Sequence, residues 1–133
     1  MMPEEKAVQQ KFSVQGRIKS FGYAFKGIRI FIGTQHNAWL HIVAAILVIG
    51  SGWWLQITTI EWCMISLAIG IVLVAECLNT AIEFLTDIVA PEYNIKAGQV
   101  KDLAAAAVQL AALSALAIGG FVFVPHLFAL LQK

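Results

Sequence analysis

Apolar residues along the chain fall into four stretches of different period and length. Between Ser13 and Gln35, Ile18, Phe21, Phe25, Ile28 and Ile32 recur at three- and four-residue steps, the spacing of one helical face. Arg17, Lys19 and Lys26 flank that face. Residues 13–35 are therefore expected to form an amphipathic helix lying in the plane of a membrane surface. The next three runs, 38–56, 60–85 and 102–131, are apolar, the second continuing past Ala75 in helical period with carboxylates on it. Roughly twenty residues at about 1.5 Å each cross a bilayer core, and each run is long enough with its flanks. The first ends in Gly52-Trp53-Trp54, an interfacial aromatic belt. The third stays apolar to about Val124, where Pro125 and His126 mark the far interface. Residues 1–12 are polar and expected to fray, and 86–101 reads as a loop. The pattern predicts a single all-α membrane domain over 1–133, with one surface helix and three transmembrane helices.

Composition sharpens this. Of 133 residues, 59% are hydrophobic and only 13% charged, so a soluble domain this small would leave much apolar surface in water. Lipid is the fitting solvent, and helices satisfy their own backbone there. Cys63 and Cys77 lie within apolar runs at no metal-ligand spacing and read as membrane-buried thiols. No apolar run closely follows the Met-Met-Pro-Glu-Glu-Lys start, so no cleavable signal peptide is expected. The net charge of +1 is uninformative, but its placement is not. Lys6, Lys11, Arg17, Lys19, Lys26 and Arg29 precede the first span, Lys96 and Lys101 lie between the second and third, and the 56–59 connection has no basic residue. The positive-inside rule then puts the N-terminus and 86–101 in the cytoplasm and the C-terminus outside. The third run carries Ala104 to Ala107, Ala111, Ala112, Ala115, Gly119 and Gly120. Small residues let helices pack closely in lipid, and three spans make a thin bundle, so a homo-oligomer is expected.

The candidate chemistry sits on the second span. Five of the eight acidic residues, Glu76, Glu83, Asp87, Glu92 and Asp102, lie in its second half and just beyond. Offsets of three, seven and eleven from Glu76 place Asn79, Glu83 and Asp87 in a narrow arc at about 100° per residue. Carboxylates at membrane depth are costly and mark function by default. Interhelical glue is the plain alternative, but glue needs one or two polar residues, and no basic residue at that depth pairs these acids. The stripe points to a site that receives a cation. Lys101, facing the cytoplasm beside it, suits a polyphosphate, although taken alone it also reads as an interfacial anchor. No Gly-x-x-x-x-Gly-Lys is present, so a nucleotide site here is not a P-loop.

The block Glu76-x-x-Asn79-Thr80-Ala81-Ile82-Glu83-x-x-x-Asp87, followed by Lys101-Asp102 and an alanine-rich helix, resembles the signature of the prokaryotic diacylglycerol kinase and undecaprenol kinase family. Gly22-Tyr23-Ala24-Phe25-Lys26-Gly27-Ile28-Arg29 is similar to that family's surface-helix segment, and the likeness covers roughly residues 17–124. It implies a homotrimer in the bacterial inner membrane, with active sites between subunits at the cytoplasmic interface. It further implies transfer of the ATP γ-phosphoryl to a lipid alcohol, diacylglycerol or undecaprenol, with Mg²⁺ and without a nucleic-acid partner. On this resemblance Glu76 is the general base and Glu83 a Mg²⁺ ligand, with Asn79 and Asp87 supporting. Tyr23, Glu92, Tyr93, Asn94, Lys101 and Asp102 line the ATP site, and Arg17 supplies an upstream phosphate-facing arginine, one residue short of the usual spacing. One departure stands out: Thr34-Gln35-His36-Asn37 has Gln35 where the family often has a glutamate metal ligand. An amide oxygen can ligate Mg²⁺ but brings no charge.

Two other classes fit parts of the pattern. Intramembrane carboxylates also mark ion paths in transporters, but here the acids gather at one interface. A structural subunit would leave the stripe and Lys101-Asp102 without purpose. His41 reads as an interfacial packing residue, and Trp39, Trp53, Trp54 and Trp62 as belt residues.

Overall fold

The computed structural model describes residues 13–92 and 94–132, which form four helices and short connections: α1 (Val14–Thr34), α2 (His36–Leu55), α3 (Thr59–Val89) and α4 (Ile95–Leu131). The segment expected to fray, 1–12, lies outside the described residues. No strand occurs among the described residues. The last three helices are long and apolar enough to cross a membrane.

Helix α1 starts where the Ser13 hydroxyl accepts from the Gly16 amide at 3.2 Å. It ends at Gln35, whose extended backbone breaks the helix. The Trp39 indole N–H reaches back over this corner to the Ile32 carbonyl at 3.1 Å, and Phe31 and Ala38 on either side of the corner in the chain are buried. Packing of α1 is chiefly against α2. Its apolar face, with Ile18, Phe21, Phe25 and Ile28, stays exposed.

The connection from α2 to α3 is tight. Gln56 takes a left-handed conformation (φ 52°), and its amide donates to the last turn of α2. Ile57 then tucks inward and is buried. Thr58 opens α3 with a capping box: its hydroxyl accepts from the Glu61 amide while the Glu61 carboxylate accepts from the Thr58 amide at 2.7 Å. Gly52 permits the close approach. A Cβ there would stand 3.0 Å from the Ile57 and Trp62 side chains.

The expected 86–101 loop is much shorter. Helix α3 continues to Val89, and α4 is already helical from Ile95. Pro91 disfavours a helical Ala90 and ends α3. Asn94 restarts the chain by accepting the Lys96 and Ala97 amides on its Oδ1 at 2.9 and 3.2 Å. Residues 95–101 carry no apolar stripe, which is why their periodicity hid a helix that the cap specifies. Helix α4 also passes straight through Pro125 to Leu131. At about 1.5 Å per residue it outruns the hydrocarbon core, so its ends project from it.

Antiparallel α3 and α4 make the main contact, and α2 lies more lightly against them. Each helix turns one seam inward. On α3 it runs Ile65, Ala68, Val72 and then, without a break in register, Glu76, Asn79 and Thr80. On α4 it runs Ala104, Ala111 and Val122. Ile57, Ile65 and Val122 form the core, with Trp62, Ile118 and Phe123 around them. Large apolar side chains elsewhere, such as Leu116 and Phe121, are exposed, as befits lipid-facing positions. Cys63 and Cys77 are free thiols on those outward faces.

Candidate active site

The acidic stripe continues the packed seam of α3 past the point where that seam turns polar. Glu76 is 3% exposed, and Asn79 and Thr80 are buried beside it. The Thr80 hydroxyl donates to the Glu76 carbonyl at 2.9 Å and is thereby spent on the helix. The Asn79 amide nitrogen donates to Glu83 Oε1 at 3.0 Å, fixing that carboxylate one turn further along. Two buried oxygens have no hydrogen-bond partner among the described residues: Glu76 Oε1 and Asn79 Oδ1. Buried polar atoms are rarely left so, and each calls for an explanation.

Asp87 lies beyond Glu83, exposed, and accepts a hydrogen bond from the Lys101 ammonium of α4. That pair closes the acidic end of the α3–α4 hairpin. Asp102 and Glu92 are exposed close by in the chain. Asn94 commits its side-chain oxygen to the α4 cap. Tyr93 lies outside the described residues. Arg17 and Tyr23 stand on the exposed surface of α1, with the Lys26 ammonium 5.8 Å from the Tyr23 ring centre. Gln35 occupies the α1–α2 corner, half-buried, and its side chain makes no cap hydrogen bond to α2. The structure thus unites Glu76, Asn79 and Glu83 in one cluster and Asp87 with Lys101 in a second. Among the described residues no three His, Cys, Asp or Glu side chains converge on one point where a metal could be caged.

Two features go beyond the sequence reading. His41 of α2 brings Nε2 to 3.6 Å from Glu76 Oε1. Its position was legible: Ala38, His41, Ala45, Val48 and Gly52 follow three- and four-residue steps along the inward seam of α2. At the opposite end of the hairpin, His126 Nε2 lies 3.0 and 3.2 Å from the two Glu61 carboxylate oxygens. That pair has no local signal, because its members are far apart in sequence.

The sequence model of the prokaryotic diacylglycerol kinases matches residues 22–123, which include the whole α3 cluster and Lys101. The chain belongs to that family. It is 38% identical over 109 residues to the undecaprenol kinase of Bacillus subtilis, covering 82% of this chain and 89% of the relative. A diacylglycerol kinase of Synechocystis is 35% identical over 113 residues, which are 84% of this chain and 65% of that protein. The diacylglycerol kinase of Escherichia coli K12 is 32% identical over 94 residues, 71% of this chain and 77% of the relative. As a member of the family, this chain is a bacterial membrane lipid kinase, a phosphotransferase with an alcohol group as acceptor. The alternative, a small oligomeric proton- or ion-coupled transporter or an inactive membrane relative, is not favoured.

Proposed function

We propose that this kinase transfers the γ-phosphoryl of ATP to the hydroxyl of diacylglycerol or undecaprenol, with Glu76 as general base. The observation that carries this reading is Glu76 itself, a buried carboxylate with an unpartnered oxygen at the point where the α3 seam leaves the apolar core. A lipid hydroxyl arrives from the bilayer side and meets that carboxylate. Glu83, roughly 10 Å further along the helix axis, faces the side from which a nucleotide comes. As the lipid oxygen bonds to the γ-phosphorus and the bond to ADP breaks, the hydroxyl proton passes to Glu76. The transition state is largely dissociative, so the residues act mainly by positioning and charge neutralisation.

Hard oxygen donors on Glu83 and Gln35 suit Mg²⁺, which commonly takes one or two protein ligands and completes its shell with phosphate oxygens and water. When bound, Mg²⁺ neutralises charge on the phosphates. Asn79 holds Glu83 and offers its free Oδ1 to the site. Lys101 meets phosphate charge and is oriented by Asp87, while Arg17, Tyr23, Glu92, Tyr93, Asn94 and Asp102 complete the ATP site. Likeness to the family further supports a homotrimer, with active sites between subunits. The N-terminus and the α3–α4 turn lie in the cytoplasm, where ATP is, and the C-terminus lies outside the inner membrane.

The test is phosphoryl transfer from labelled Mg-ATP to each lipid in mixed micelles, with Glu76→Gln alongside. Labelled lipid phosphate that disappears in the variant supports the reading and identifies the acceptor. Folded wild-type protein that labels neither lipid refutes it.

A further inference from the structure

We infer that His41 is a positioning residue for Glu76, donating its Nε2–H to Oε1 so that the carboxylate is held and aimed during phosphoryl transfer. The inference rests on the role proposed for Glu76 above. Three observations converge on it. Glu76 Oε1 is fully buried and lacks a hydrogen-bond partner among the described residues. The nearest group of opposite character is His41 Nε2, 3.6 Å away on a different helix. His41 also borders a cleft of about 580 Å³ between α2, α3 and α4, and it is the only polar side chain among the residues lining it. The other side chains lining that cleft, such as those of Ala45, Val48 and Ile69, can neither donate nor accept a hydrogen bond.

At 3.6 Å the pair attracts but does not yet share a hydrogen bond, and an approach of about 0.6 Å makes one. Helix α2 packs lightly against α3, so a shift of that size needs no repacking of the main hairpin. A hydrogen bond to a charged group is among the stronger ones, and an orphaned buried carboxylate oxygen is costly. With Oε1 held by His41, the second carboxylate oxygen is left to take the lipid proton. The imidazole touches neither lipid nor nucleotide in this scheme and acts through Glu76 alone.

The experiment compares wild type, His41→Leu and His41→Gln by steady-state kinetics in mixed micelles. Melting and oligomeric state in detergent are measured on the same samples. His41→Leu keeps the apolar lining but removes the donor. The expected result is a kcat about tenfold to a hundredfold lower, with KM for Mg-ATP and for lipid unchanged. His41→Gln retains an N–H donor and is expected to recover most of that loss at the same melting temperature as the leucine variant. A packing role predicts the opposite, with glutamine no better than leucine and KM for lipid moving with stability. A kcat for folded His41→Leu equal to wild type overturns the inference and leaves the kinase reading intact, as does a glutamine variant that falls equally far. A wild type that phosphorylates neither lipid removes both together.

Discussion

The two ends of the α3–α4 hairpin carry similar residue types to opposite effect. At the far end Glu61 is satisfied from several sides. Its carboxylate accepts from the Thr58 amide and hydroxyl at 2.7 and 2.8 Å and lies within hydrogen-bond distance of His126. Ile57, Ile65 and Val122 pack nearby as the core. At the acidic end Glu76 and Asn79 are more deeply buried yet each keeps an oxygen with no partner among the described residues. A polar cluster closed on itself is a fastening, whereas one left open at the cost of burial is a place for something else to bind. The presence of a carboxylate does not separate the two ends. Satisfaction does.

The largest expected effect tests the open end. Glu76→Gln keeps the shape and removes the base, so kcat should fall by about 10²- to 10⁴-fold with the helical content unchanged, read by lipid phosphorylation and circular dichroism. Glu83→Gln should raise the Mg²⁺ concentration for half-maximal rate by about tenfold or more, found by titrating Mg²⁺ at fixed ATP. An unchanged Mg²⁺ requirement would move the metal away from Glu83.

The closed end should respond in stability alone. His126→Leu and Thr58→Ala are each expected to lower the detergent melting temperature by a few degrees, through loss of the Glu61 contact and of the cap, with specific activity within about twofold of wild type. A large activity loss without melting change at either position would erase the contrast between the ends. The smallest effect is expected at Gly52. Alanine there presses on Ile57 and Trp62, and an overpacking cost of about 1 kcal/mol should appear as slightly easier thermal unfolding.

Much of the fold was legible in local pattern. The three spans, the start of α1 and the register of Glu76, Asn79, Glu83 and Asp87 follow from hydropathy and a 3.6-residue period, which need no knowledge of neighbours. The segment 86–101 reads as a loop in the sequence because Lys96 and Lys101 sit on helical turns with no apolar face; the Asn94 cap, not periodicity, sets the boundary. His41 reads as a packing residue in the sequence, where its seam position could be read. Its significance could not, since that depends on what α3 places opposite it.

The sequence by itself determined that the chain is a set of membrane helices and that one of them carries acids in register. Burial in lipid and helical geometry act residue by residue along a single segment. Only the tertiary structure decided which polar groups close on one another: Lys101 on Asp87, His126 on Glu61, and His41 beside Glu76. Those pairs join different helices, so they exist only once the helices have packed. Which buried oxygens remain without a partner is fixed at the same moment and for the same reason.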